Sequence, residues 1–145
     1  MTRNCCKIFV LSLVLLSGFF STAFSYAEVV IINSQNPLSS FDRNELRAIF
    51  SMQHTQWKDG SSIKVFVYED RHPTHQKFCK NVLEIFPYQL RKNWDRLIYS
   101  GTGKAPTLVK NKEEMLRVIA ATPGAIGYID KRGTGHGVKT VPVEK

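Results

Sequence analysis

The sequence predicts an α/β fold in which a small sheet is flanked by helices within one domain. Runs of β-branched residues alternate with segments whose apolar residues recur at helical spacing, which is the pattern of such a sandwich. The chain has 145 residues, of which 43% are hydrophobic and 22% charged, so its length and composition suit one ordinary globular domain. Its formal net charge of +8 favours anionic partners. The basic residues are scattered over several segments, which argues against nucleic acid as a partner.

Residues 1–27 are predicted to be a signal peptide. A basic start precedes an apolar run from Ile8 to Phe20, and Ala27 is a small residue of the kind that a signal peptidase reads. The alternative is an uncleaved membrane anchor, but a run of about 13 residues is short of the roughly 20 that a span needs. Cleavage after Ala27 therefore predicts a periplasmic or secreted domain over residues 28–145.

The first half of this domain is predicted to form a strand, a helix and a second strand. Val29–Ile32 is a short β-branched run typical of a buried strand. Asp42 is placed to cap a helix, with Glu45 three residues later as in a capping box. Trp57–Gly60 is a turn, because Asp-Gly gives the backbone freedom there, and Ile63–Tyr68 is the second strand.

The middle of the domain is predicted to contain two helices. The first opens near Arg71–Thr74 and the second at Pro87, since proline is favoured at the first position of a helix. A connector over Ser100–Pro106 follows the second helix. The apolar stripes expected to face the core are Phe78, Cys79, Val82, Leu83 and Phe86 on the first helix, and Leu90, Trp94, Leu97 and Ile98 on the second.

The last part of the chain is predicted to hold one helix and two strands. Asn111 caps the helix, with Glu114 three residues on. Ala125–Ile129 is a strand, and a basic glycine loop leads from it to a final strand over Val138–Val143. Pro142 places this final strand at a lateral edge of the sheet, because proline cannot donate to a ladder.

The junction between the second strand and the next helix carries the best signal for a binding site. In open α/β sheets, ligands lie beyond the carboxyl ends of strands, where the first N–H groups of helices are free. Arg71 would bind an oxyanion through its guanidinium and Thr74 through its hydroxyl, and the backbone amides of His75 and Gln76 would complete the cradle. The alternative is that Thr74 only caps its helix and that Arg71 is a solvated surface charge.

Two further loops are candidates for the same site. Ser34 follows the first strand and offers a hydroxyl, although its loop is also a plain turn. Ser100 and Thr102 belong to a Gly-rich, Lys-containing segment that resembles a phosphate-binding loop in composition. That segment follows a helix instead of joining a strand to a helix, so it is not a P-loop, and a connector is the alternative.

Residues for catalysis or for a metal site are not evident in the sequence. The domain that follows the signal peptide has one cysteine, Cys79, which lies on an apolar stripe and is predicted to be a buried, inert thiol. A catalytic pair with His75 fits the spacing, but no third group orients it. His72 and His75 are three residues apart without a further ligand, which is too few for zinc. We expect no enzymatic activity and no cofactor.

Four segments, in this order, resemble the phosphate-binding substrate proteins of ABC transporters: Asp42–Phe50, Trp57–Gly60, Ser100–Gly103 and Thr122–Ile129. Together they extend over nearly all of the domain after residue 27. The resemblance implies a type 2 periplasmic-binding-protein fold, export from the cytoplasm, and binding without catalysis.

The sequence departs from this family in two ways. The family has two lobes with phosphate between them and about twice this length, whereas the matching segments here belong to a single lobe. The family also carries an arginine followed by a Ser-Gly-Thr turn at a helix start, where this chain has Arg71–Gln76. Arg71 and Thr74 correspond to the arginine and one hydroxyl, but the glycine turn is missing.

The resulting hypothesis is an exported, single-lobe module that binds phosphate or a similar oxyanion weakly. Its candidate ligand-binding residues are Ser34, Arg71, Thr74, His75, Ser100 and Thr102. The alternative is a non-catalytic interaction or sensing module of the cell envelope that has lost its ligand. In either case a membrane transporter or another envelope protein is the expected macromolecular partner.

Overall fold

The structure, a computed structural model, describes residues 28–131 and 135–144. The predicted signal peptide, residues 1–27, lies outside the described residues, as do three residues of the predicted basic glycine loop. Within the described ranges, no helix is long and apolar enough to cross a membrane.

A five-stranded mixed sheet forms the centre of the fold, in the order β4-β3-β5-β1-β6. Strands β3, β4 and β5 run parallel to one another, whereas β1 is antiparallel to both of its neighbours, β5 and β6. The side on which β3, β4 and β5 end is called the carboxyl side below, and the opposite side the amino side. The strands are β1 (Glu28–Asn33), β3 (Lys64–Tyr68), β4 (Thr107–Val109), β5 (Ala125–Asp130) and β6 (Val138–Val141).

A second, two-stranded sheet pairs β2 (Phe41–Asp42) in parallel with β7 (Val143–Glu144). Pro142 separates β6 from β7, and its carbonyl accepts a hydrogen bond from the N–H of Phe41. The final strand predicted over Val138–Val143 is therefore wrong as a single element, because the proline ends β6 and redirects the chain. Its predicted place at a lateral edge of the main sheet is confirmed for β6.

The predicted helix starts at Asp42, Pro87 and Asn111 are confirmed. The side chains of Asp42 and Asn111 each accept hydrogen bonding from N–H groups in the first turn of the helix that follows. Such caps satisfy N–H groups that have no partner within the helix. The helices are α1 (Arg43–Phe50), α2 (Pro73–Lys77), α3 (Pro87–Tyr99) and α4 (Lys112–Ala121), with a π-helical segment, π1 (Phe78–Leu83), directly after α2.

Most predicted core residues are buried or half-buried, but two are exposed. Phe86 is 61% exposed and Ile98 is 47% exposed. The stripe that included Phe86 assumed the 3.6-residue period of an α-helix, whereas π1 has a wider turn and ends at Glu84 with a left-handed φ of 52°. The chain therefore leaves the helical axis before Phe86, which becomes the residue that precedes α3.

Candidate functional site

The turn from β3 into α2 differs in detail from its prediction. The helix is capped by His72, whose Nδ1 accepts a hydrogen bond from the N–H of Thr74 at 3.2 Å. The His72 ring also stacks on Tyr68, with centroids 4.2 Å apart. Thr74 is therefore not the cap, because Pro73 already occupies the first helical position. The N–H of Gln76, expected in the anion cradle, donates to the His72 carbonyl at 3.1 Å.

Arg71 lines a shallow cavity of about 380 Å³ on the carboxyl side of the sheet. The cavity is formed by the segments that follow β3 and β4, because these parallel strands pair Tyr68 with Val109 and so end at the same level. Lys110 comes directly after β4 and lines the same cavity. Both Arg71 and Lys110 are exposed, so their cationic groups are available to an anion.

The charges around this cavity favour an anion. Glu69 and His72 also line it. The adjacent Asp70 is neutralised by Arg91, whose Nε and Nη2 each donate to one carboxylate oxygen at 2.9 Å. This hydrogen-bonded pair holds the pKa of Asp70 below its ordinary value. Among the described residues that line this cavity, the two cations Arg71 and Lys110 therefore accompany one carboxylate, that of Glu69.

The side chain of His75 does not belong to this cavity. It is fully buried, and its Nδ1 lies 2.5 Å from the hydroxyl of Tyr128. The helix turns the His75 ring into the core, so only the backbone amide of this residue, the group that the sequence analysis placed at the site, is left as a candidate donor.

The buried pair of His75 and Cys79 lacks the features of a nucleophile. The Cys79 Sγ lies 3.6 Å from Nε2 of His75, and both side chains are inaccessible to solvent. Burial lowers the pKa of His75 to about 4 and raises the pKa of Cys79 to about 12. A catalytic thiol needs a thiolate that a substrate can reach, and Cys79 is protonated and enclosed. The prediction of a buried thiol at Cys79 is confirmed.

Ser34 lies on the opposite side of the sheet from Arg71. Because β1 is antiparallel to β5, Glu28 pairs with Asp130 at the carboxyl side and the end of β1 points to the amino side. The length of β1 alone separates the two positions by about 17 Å along the strands. The expectation that Ser34 joins Arg71 at one site is wrong, because it depended on the first strand being parallel.

Ser100 and Thr102 also lie away from Arg71. Their hydroxyl oxygens are 2.7 Å apart in the exposed turn after α3, and the segment continues into β4 at its amino end. Arg71 lies beyond the carboxyl end of the neighbouring strand. The structure thus groups Arg71 with Lys110 and not with the hydroxyls of the 100–106 connector.

Lys110 is the residue that the sequence did not identify. It follows Thr107–Val109, three residues that are too few to show a strand period beside a Gly-rich connector. The available signal was a short run, Leu108 and Val109, placed between Pro106 and the helix cap. A parallel strand predicted over residues 107–109 would have placed Lys110 beside Arg71.

A larger cavity of about 510 Å³ lies on the amino side and does not include Arg71. It carries two carboxylates, those of Glu45 and Asp59, one lysine, Lys58, and one histidine, His54. Hydrogen bonds from Ser61 lower the pKa of Asp59, so this group is ionised at neutral pH. The larger cavity is therefore less suited to an anion than the smaller one, despite its volume.

The described part of the chain contains no group of three or more His, Cys, Asp and Glu side chains placed to hold a metal ion. His72 and His75 point apart, since one caps α2 at the surface and the other is buried against Tyr128.

A protein-family model described as "PBP superfamily domain" matches residues 18–136. Among curated proteins, none matches the sequence.

Several solved structures have a similar fold. An ABC-type phosphate transport receptor from Vibrio cholerae aligns with a TM-score of 0.65 and 18% identity, over 82% of this chain and 47% of the receptor. A putative phosphate ABC transporter substrate-binding protein with bound phosphate, from Clostridium perfringens, aligns with a TM-score of 0.65 and 19% identity, over 81% of this chain and 44% of that protein. PstS from Borrelia burgdorferi aligns with a TM-score of 0.59 and 15% identity, over 82% and 47%. The chain spans about half the length of these proteins, as a single lobe would.

Proposed function

The chain belongs to the PBP superfamily, and we propose that it is an exported module that binds phosphate or a similar oxyanion at the cavity between Arg71 and Lys110. The main observation that supports this proposal is that two exposed cations follow adjacent parallel strands and line one cavity. Similar solved structures are described as phosphate-binding or phosphate-transport proteins, one of them with phosphate bound. The proposal assigns this chain no catalytic role.

The roles within the site follow from the donors present. The planar guanidinium of Arg71 can donate two parallel hydrogen bonds to an oxyanion, whereas the ammonium of Lys110 acts as a point charge. Thr74 is the half-buried second residue of α2 and offers its hydroxyl, and the N–H of His75 is the remaining amide of the predicted cradle. Ser34, Ser100 and Thr102 have no role in this site.

The affinity of such a site is expected to be weak. Tight anion sites are enclosed, which removes competing water and strengthens each charge interaction. Here the cations are exposed and the cavity is shallow, as expected for one wall of a cleft. A second chain that covers this face would raise the affinity.

Isothermal titration calorimetry with inorganic phosphate tests the proposal. Arg71→Ala should weaken binding about ten- to a hundred-fold, since charge-assisted hydrogen bonds contribute about 1.5–3 kcal/mol. Lys110→Gln should weaken it by a smaller factor. Lys64→Gln is the matched control, because Lys64 is exposed at the amino end of β3 and should leave binding unchanged.

Two results of the phosphate titration would contradict the proposal. Absence of heat and of chemical-shift changes at millimolar phosphate, or shifts that map away from Arg71 and Lys110, would favour the alternative of an interaction or sensing module of the envelope. That alternative draws on the chain having about half the length of its structural relatives. The proposed export is tested separately by mass spectrometry of periplasmic protein, which should begin at Glu28.

A further inference from the structure

The exposed large apolar side chains of the described residues are concentrated around α3. Four of the five lie between positions 86 and 99, and the other is on β4. Exposed apolar residues on a soluble domain are usually scattered singly, so such a concentration indicates an interaction surface. The four are Phe86 at 61% exposure, Tyr88 at 66%, Ile98 at 47% and Tyr99 at 89%.

The outer face of α3, defined here as Tyr88, Lys92, Arg96 and Tyr99, combines aromatic and basic residues. These positions are spaced by four, four and three residues, so they lie on one side of the helix. Eleven residues separate the two tyrosines, which places them about 17 Å apart along the axis. The ring of Phe86 stacks against Tyr88 with centroids 5.7 Å apart and extends the face at its first end.

This outer face has an excess of exposed positive charge. Lys92 and Arg96 are exposed, and neither belongs to an ion pair of the described residues. Asp95 lies on the same side of the helix but is half-buried, one turn after Arg91. The partner that complements this face is therefore anionic.

The arrangement fits a lipid surface better than an acidic protein. Protein interfaces concentrate their aromatic residues at the centre and keep charges at the rim. The outer face of α3 has the reverse order, with two cations between aromatic groups at each end. At a bilayer surface each ring enters the headgroup layer independently, and cations between the rings contact anionic headgroups, so this order is suited to a membrane.

We propose that the outer face of α3 docks on membranes that contain anionic phospholipids. The opposite face of α3 stays in the core through Leu90 and Trp94, so the helix binds as part of the folded domain. The interaction is peripheral, since the two cations and two rings of this face, with the adjacent ring of Phe86, contact only the headgroup layer. This surface is additional to the anion-binding cavity and does not require it.

Co-sedimentation with vesicles tests the proposal. The purified protein should bind vesicles of equal parts phosphatidylethanolamine and phosphatidylglycerol, and not vesicles of phosphatidylcholine alone. The double variant Lys92→Gln/Arg96→Gln should lower the partition coefficient about tenfold or more, since each cation near an anionic surface contributes roughly fivefold. Tyr99→Ser should lower it as well, because an aromatic anchor is lost.

A matched control separates this face from the overall positive charge. Lys58→Gln/Lys64→Gln removes the same charge from exposed positions outside α3 and should leave binding nearly unchanged. Equal losses in the two double variants would overturn the proposal, as would absence of binding to the anionic vesicles. Displacement by inorganic phosphate at constant ionic strength would also overturn it, because the lipid phosphate would then occupy the anion-binding cavity.

A fluorescence experiment gives a second, independent reading. Tyr99→Trp places an indole at the most exposed aromatic position, while Trp57 and Trp94 are 8% and 1% exposed and so give a constant background. Anionic vesicles should shift the emission of this variant to the blue and leave that of the unmodified protein unchanged. A variant that sediments with the vesicles without this shift would show that another surface docks, which contradicts the proposal.

Discussion

The hydroxyl of Tyr128 forms hydrogen bonds with two polar groups buried beneath the candidate site. Tyr128 is fully buried on β5, and its hydroxyl oxygen accepts a hydrogen bond from the backbone N–H of Tyr68 at 3.2 Å. The same hydroxyl is the hydrogen-bond partner of His75 Nδ1. It therefore satisfies one group on β3 and one on α2, the two elements that flank Arg71.

Replacing Tyr128 by phenylalanine removes both hydrogen bonds and keeps the ring. The ring stacks on Phe78 with centroids 3.8 Å apart, and this packing is retained in the variant. The N–H of Tyr68 and one ring nitrogen of His75 would be left buried without a partner. Each unsatisfied group costs about 1–3 kcal/mol, so Tyr128→Phe should lower the free energy of unfolding by about 2–6 kcal/mol.

Urea unfolding followed by circular dichroism measures this loss. Tyr99→Phe is the matched control, because the Tyr99 side chain is 89% exposed. This variant should lower the free energy of unfolding by less than about 0.5 kcal/mol. The reasoning is refuted if Tyr128→Phe costs no more than this control. In that case the hydroxyl network would not stabilise the junction between β3 and α2.

Two other measurements examine the core. The pKa of His75 is lowered by burial to about 4 from its ordinary value of 6.5, so below pH 6.5 the unfolded chain binds a proton that the folded chain excludes. This contribution to the free energy of unfolding should be fully present above pH 6.5 and fall by on the order of 3 kcal/mol as the pH drops to 4. Thermal unfolding measured across this range should show a loss of stability with falling pH that is smaller in His75→Gln. An equal loss in this variant would contradict the assignment of the effect to His75. Gly124→Ala should cost about 3 kcal/mol or more, because its φ is +77° and the new Cβ would lie 2.4 Å from the backbone oxygen of Ser62. Gly127→Ala should cost only about 1 kcal/mol, because its Cβ would meet the flexible side chain of Met115 at 2.6 Å. Urea unfolding measures both variants, and a larger loss in Gly127→Ala than in Gly124→Ala would be evidence against this packing.

The elements that the sequence predicted correctly are those with a local physical cause. The caps Asp42 and Asn111 act within three residues of themselves, and an apolar run such as Val29–Ile32 marks a buried strand by composition alone. The π1 segment and β4 were missed because neither has a local signature. π1 directly continues the helical run of α2 with a wider turn, so the apolar spacing does not mark where the α-helix ends, and β4 is three residues long and exists through its pairing with β3.

The candidate site was predicted only in part, because its composition depends on strand direction. Arg71 was predicted from the strand–helix junction alone, which is a local feature. Ser34 and Lys110 required knowledge of which strands are parallel, and this is decided by tertiary packing. The antiparallel β1 removed Ser34 from the site and the parallel β4 added Lys110 to it.

The same geometry explains why this lobe alone is expected to bind an anion weakly. Two unit charges 4 Å apart interact by about 1 kcal/mol in bulk water and by about 4 kcal/mol near a protein surface of intermediate polarity. Arg71 and Lys110 are exposed, so their contribution lies toward the lower figure. A few such contacts amount to about 4 kcal/mol, which corresponds to a dissociation constant of about 1 mM. Covering the cavity with a second surface would bring each contact toward the higher figure without changing a residue of this chain. If the proposed site binds an anion, its affinity would therefore depend on a surface that covers Arg71 and Lys110 as much as on these residues themselves.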